Sequence, residues 1–92
     1  MSHYVKNVAG SSRFPKPSTG ENSWLEYWEK HTGKKATKCG YCGCNSDLVG
    51  AHVTNELATD NKWYITPLCT SCNKKTEAFW VDTDLVPVPS NL

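Results

Sequence analysis

The sequence predicts a small α+β domain held by a metal staple rather than by a large core. Three observations predict it. The chain has 92 residues, and a chain so short buries only about 60 % of its unfolded surface. It carries two Cys-x-x-Cys pairs, Cys39–Cys42 and Cys69–Cys72. One stretch has the cap and apolar spacing of a helix, while the runs beside the cysteines are short and strand-like. The length excludes a large doubly wound enzyme, and no run approaches the roughly 18 apolar residues of a membrane span.

Residues 1–22 are rich in Ser, Gly, Pro, Asn and Lys and read as a flexible arm, with Phe14 its one clear anchor. A single domain follows over residues 23–82. Ser23 and Glu26 form a Ser-x-x-Glu capping box, in which each side chain satisfies the other's orphan N–H. Trp24, Leu25 and Trp28 make one apolar stripe bordered by Tyr27. Gly33 suits the left-handed residue after the helix, and Lys30 and His31 sit where the dipole favours cations. These signals place an N-terminal helix at about 23–32. Residues 34–53 read as two short strands around a cysteine turn, the second holding Leu48-Val49 and Ala51-His52-Val53. Residues 54–62 are polar and loop-like, and Trp63-Tyr64-Ile65 is a short apolar run. A second helix is expected from Cys69 to about Phe79, capped by Thr70 or Ser71. Residues 83–92 form an extended, proline-bearing C-terminal tail.

No apolar run of signal-peptide length opens the chain, so the expectation is an intracellular, cytoplasmic protein with reduced thiols. In that setting two spaced pairs read as a metal site, not as a disulfide framework. A tight Cys-x-x-Cys turn aims both thiolates at one centre, and two such turns, 26 residues apart, complete a tetrahedral shell. The expected cofactor is one structural zinc ion held by Cys39, Cys42, Cys69 and Cys72, with iron its competitor for the same thiolates. Gly43 supplies a bend that calls for positive φ. Cys44 is surplus: it either replaces Cys42 as ligand or stays an ordinary thiol. Lys38, Lys74 and Lys75 stand near enough to offset part of the four-thiolate charge.

A first pair on a β-hairpin turn and a second at a helix start is the treble-clef arrangement, here with the N-terminal helix added. The text GAHV followed by ITPLCTSCNKK, with Cys39 and Cys42 upstream, resembles the HNH (ββα-metal) endonucleases that carry a four-cysteine zinc site. The resemblance covers roughly residues 38–80. It implies a structural zinc and a separate catalytic divalent ion, Mg²⁺ or Mn²⁺. It implies His52 as general base activating water, Asn61 as the loop residue that orients it (with Asn55 its rival), and Asn73 as a ligand of the second ion. The sequence departs from the pattern at Ala51, where the family places an acidic or His metal ligand and where a methyl group binds no cation. Glu56 and Asp60 are the loop carboxylates available to replace it.

Each of these residues also has a plainer reading. His52 suits a core histidine, Asn61 a turn residue, and Asn73 a partner for a thiolate. Trp24, Tyr27, Trp28, Trp63, Tyr64, Phe79 and Trp80 suit a core poor in Leu and Ile, since each ring can bury about 150–250 Å². Formal charge is +1 overall. It divides unevenly, with seven basic against three acidic side chains in residues 1–38, and three against six in residues 39–92. The reading is a zinc-binding HNH-like domain whose nuclease site has decayed and which binds DNA or RNA. Two alternatives stand beside it: an active divergent nuclease, and a protein-interaction adaptor that uses its Trp and Tyr surface. No membrane partner is expected.

Overall fold

The computed structural model describes residues 2–8, 23–57 and 62–88. The helix α1 spans Trp24–Thr32, and its ends carry the signals expected of them. Ser23 has extended backbone and its Oγ accepts from Glu26 N at 3.1 Å. Gly33 closes the helix at φ +70°, its N–H donating to the Glu29 carbonyl. Trp24, Tyr27 and Trp28 form the buried stripe, each contributing on the order of 2–3 kcal/mol by apolar burial.

Five strands form one antiparallel sheet: β1 His3–Asn7, β2 Leu48–Asn55, β3 Trp63–Cys69, β4 Phe79–Val81 and β5 Val86–Pro87, in the order β4-β1-β2-β3-β5. The edge strands β4 and β5 are joined by residues 82–85 alone. Four inter-strand gaps would put the edges of a flat sheet about 19 Å apart. Five residue steps reach at most about 18 Å even fully extended. The sheet therefore curls. Val5, Ala51, Val53, Leu68, Phe79 and Val81 pack on its inner face. On the outer face α1 covers Ile65 of β3 and Val86 of β5. Gly50 lets the first turn of α1 approach β2: a Cβ there would lie 2.5 Å from Trp24 C and 2.8 Å from Trp24 Cβ.

Several sequence expectations are corrected. Residues 3–7 are not part of a flexible arm but a strand flanked by β4 and β2, with Val5 fully buried. The alternation of Tyr4, Val5 and Lys6 carries that strand signal, which the polar composition downstream conceals. Residues 9–22, Phe14 included, lie outside the described residues. The second helix is a single 3-10 turn at Cys72–Lys74, followed by β4. Phe79 and Val81 point inward and Trp80 outward, a period of two that a helix cannot satisfy. Among the described residues no strand precedes Cys39, so the first cysteine pair sits on a turn and not on a hairpin. The treble-clef arrangement is thus not seen among the described residues, and what stands is a small α+β fold. The domain also runs past residue 82. Val86 and Pro87 pair with β3, Trp28 Nε1 donates to the Asp84 carbonyl at 2.8 Å, and Tyr27 Oη donates to that of Pro87 at 3.1 Å. No helix among the described residues is long and apolar enough to cross a membrane.

Candidate metal centre

Two backbone turns build the centre. In the first, Gly43 N donates to the Cys39 carbonyl at 3.1 Å, and Gly43 takes φ +80°, as the bend requires. Tyr41 N and Cys42 N point at the Cys39 sulfur, at 3.4 and 3.5 Å. In the second, Cys69 ends β3 and Cys72 opens the 3-10 turn. Lys75 N donates to the Cys72 carbonyl at 3.1 Å.

Tertiary contacts bring the turns together. Gly40 N donates to the Pro67 carbonyl at 2.9 Å, two residues before Cys69, while the Gly40 carbonyl accepts from Asp82 N at 3.0 Å. A Cβ at residue 40 would lie 3.1 Å from Val81 Cβ and press on Thr83, so glycine is needed for the close approach. From the other side, Asn7 Nδ2 donates to the carbonyls of Cys72 and Lys75, both at 3.0 Å. Sequence reasoning missed Asn7, because nothing local to it signals a contact with a cysteine turn.

As a result the thiol sulfurs of Cys39, Cys42, Cys69 and Cys72 all lie within 4.8 Å of one another. Cys42 Sγ and Cys69 Sγ are 3.7 Å apart. Four sulfurs each about 2.3 Å from a tetrahedral ion stand about 3.8 Å apart, so the donor set fits one metal ion. Cys39, Cys69 and Cys72 are buried and Cys42 is exposed. Crowding splits the thiols. The Cys44 backbone N–H, with its thiol, holds Cys42 down at about 6. Burial, reinforced by the neighbouring thiols, pushes Cys72 well above the ordinary range. Cys44 lies beside the centre: it packs against the buried cysteines, its thiol donates to the Ser46 carbonyl at 3.8 Å, and the neighbouring Cys42 and Cys69 thiols push it up to about 11. Nearby, Lys38 pairs with Asp82 at 3.6 Å and Lys75 with Glu77 at 3.2 Å. Lys75 Nζ also stands 4.9 Å above the Tyr41 ring. Lys38 and Lys75 thus already have carboxylate partners.

Of the residues expected around a second ion, those that the structure describes are not brought together. His52 is 1 % exposed on the outer face, its ring 4.9 Å from Trp24 and 6.3 Å from Trp63. Burial pushes its pKa down to about 4, so it is neutral at pH 7. Asn73 belongs to the 3-10 turn that Asn7 binds, and Asn7 pairs with Val53, so that turn lies on the inner-face side of the sheet. Ala51 is buried in the inner core. Asn55 Oδ1 accepts from Leu57 N at 3.1 Å, and Glu56 accepts from the Thr54 hydroxyl at 2.7 Å. Asn61 and Asp60 lie outside the described residues. Among the described residues, the four cysteines are the one group of His, Cys, Asp and Glu side chains placed to share a metal. Compared with protein-family models, curated proteins and solved structures, the chain matches none.

Proposed function

We propose that the chain is a non-catalytic binding module whose fold is held by one structural zinc ion, and that its partner is nucleic acid. The observation that carries the zinc reading is the convergence of four sulfurs from two turns, with all four places of a tetrahedral shell taken by protein. A shell closed in this way leaves no position for water or substrate, as a structural site requires. The burial of His52 under Trp24 speaks against water activation there. The nucleic-acid reading is supported by the basic excess of residues 1–38 and by the outward-facing Tyr4, Lys6 and Trp80 of β1 and β4. Tyr4 and Trp80 rings lie 5.0 Å apart and Trp80 is 53 % exposed. Aromatic and basic groups side by side suit stacked bases and phosphate.

Native mass spectrometry should find one zinc per chain. Fluorescence anisotropy with short labelled single-stranded and duplex oligonucleotides should give binding that weakens steeply with salt. Mg²⁺ or Mn²⁺ should produce no nicking of plasmid DNA. A metal-free chain with an intact cooperative fold would overturn the zinc reading. Absence of any salt-dependent binding would overturn the nucleic-acid reading and leave the exposed Trp80 face to a protein partner.

A further inference from the structure

Three features of the metal centre go beyond a structural staple. One ligand, Cys42, is exposed while the other three are buried. A fifth thiol, Cys44, sits beside it without belonging to the four-sulfur group. Gly43 between them, at φ +80°, folds the chain back so that the Cys44 carbonyl accepts from Cys39 N at 2.6 Å. Consecutive Cα atoms are about 3.8 Å apart, so two residues separated by one lie at most about 7.6 Å apart and closer in a bend, a range that overlaps the roughly 4.4–6.8 Å that a disulfide spans.

We infer that Cys42 and Cys44 form a reversible, peroxide-driven disulfide that withdraws one ligand from the metal. The inference rests on the metal centre proposed above. The exposed Cys42 thiolate attacks one oxygen of hydrogen peroxide. The O–O bond breaks, hydroxide leaves, and Cys42 becomes a sulfenic acid. The Cys44 sulfur then attacks the Cys42 sulfur, the S–O bond breaks, and the departing hydroxide takes the Cys44 proton as water. Two electrons have passed from the two sulfurs to peroxide, and one disulfide has formed. Cys44 is suited to the second step because, unlike Cys69, it is not one of the four sulfurs that share the metal. Its presence keeps the oxidation reversible, since a sulfenic acid with no resolving thiol goes on to sulfinic acid.

The test uses the full-length, zinc-loaded chain and hydrogen peroxide. Zinc release is followed with a chromogenic chelator, and disulfides are mapped by non-reducing digestion and mass spectrometry. Native mass spectrometry before peroxide establishes that zinc is bound, so failure of the zinc reading is seen separately. The expected product is a Cys42–Cys44 disulfide, with full zinc rebinding after a thiol reductant and added zinc. In Cys44→Ser and Cys44→Ala, zinc should still bind, but peroxide should drive Cys42 to sulfinic acid and rebinding should be lost. A Cys42–Cys69 disulfide in the unaltered chain, no oxidation at Cys42, or recovery in both variants equal to that of the unaltered chain would each overturn the inference.

Discussion

The side-chain amide of Asn7 donates to the Cys72 carbonyl at 3.0 Å, tying a strand at the start of the chain to a cysteine turn 65 residues later. The same nitrogen reaches the Lys75 carbonyl, so one side chain spans the whole 3-10 turn. This is how the sheet positions the second cysteine pair without a helix to carry it.

Asn7→Ala should therefore weaken both fold and metal centre. It takes the Asn7 amide from the Lys75 carbonyl and removes one of the two donors to the Cys72 carbonyl, which keeps Lys75 N, at a cost of about 1–3 kcal/mol. Denaturant unfolding of the zinc-loaded chain should show a lower midpoint, and a competing chelator should remove zinc more readily. An unchanged midpoint with unchanged zinc affinity would mean that Asn7 does not hold the turn.

The five cysteines should divide into four and one. Cys39→Ser or Cys72→Ser removes a buried ligand, and because metal binding is coupled to folding the domain should lose zinc and cooperative unfolding together. Cys44→Ser should keep both. Zinc stoichiometry and thermal unfolding of the three variants check this. Loss of zinc in Cys44→Ser with retention in a Cys42→Ser variant would reassign the ligand.

Gly50→Ala should displace α1. The added methyl meets backbone of Trp24, which cannot rotate away, so a cost of about 1–3 kcal/mol is expected from overpacking. Near-ultraviolet circular dichroism should report the change through Trp24 and Trp28, with the zinc content unaltered. Preserved dichroism and stability would show that the helix does not rest on β2 at this point.

His52 sets a pH dependence. Its folded pKa is lowered from 6.5 to about 4 by burial, so protons bind the unfolded chain more tightly than the folded one. Its contribution to stability is complete above about pH 6.5, falls through the window down to about 4, and has nothing further to lose below that. At about 1.4 kcal/mol per pKa unit the loss is a few kcal/mol. Unfolding midpoints measured from pH 7 to 4 should decline, and His52→Gln should flatten the slope over that window. An equal slope in the variant would place the titration elsewhere.

Short-range chemistry is legible along the chain. The Ser23 cap, the Trp24–Trp28 stripe and the Gly33 stop define α1 because each acts within one or two turns of the chain. The two Cys-x-x-Cys pairs define the ligand set because spacing alone aims both sulfurs of a pair, and Gly43 adopts positive φ for the same local reason. The rest depends on long-range packing. Whether Tyr4-Val5-Lys6 is an arm or a strand depends on β2 and β4 being present to pair with it. Whether Cys72 opens a helix or a single turn depends on Asn7 binding its carbonyl and on Phe79 and Val81 entering the inner core. Whether His52 faces solvent or Trp24 depends on where α1 lands, and the bare backbone of Gly50 sets that landing. Partners distant in sequence meet only when the sheet curls, and that is the physical reason local pattern could not reveal them.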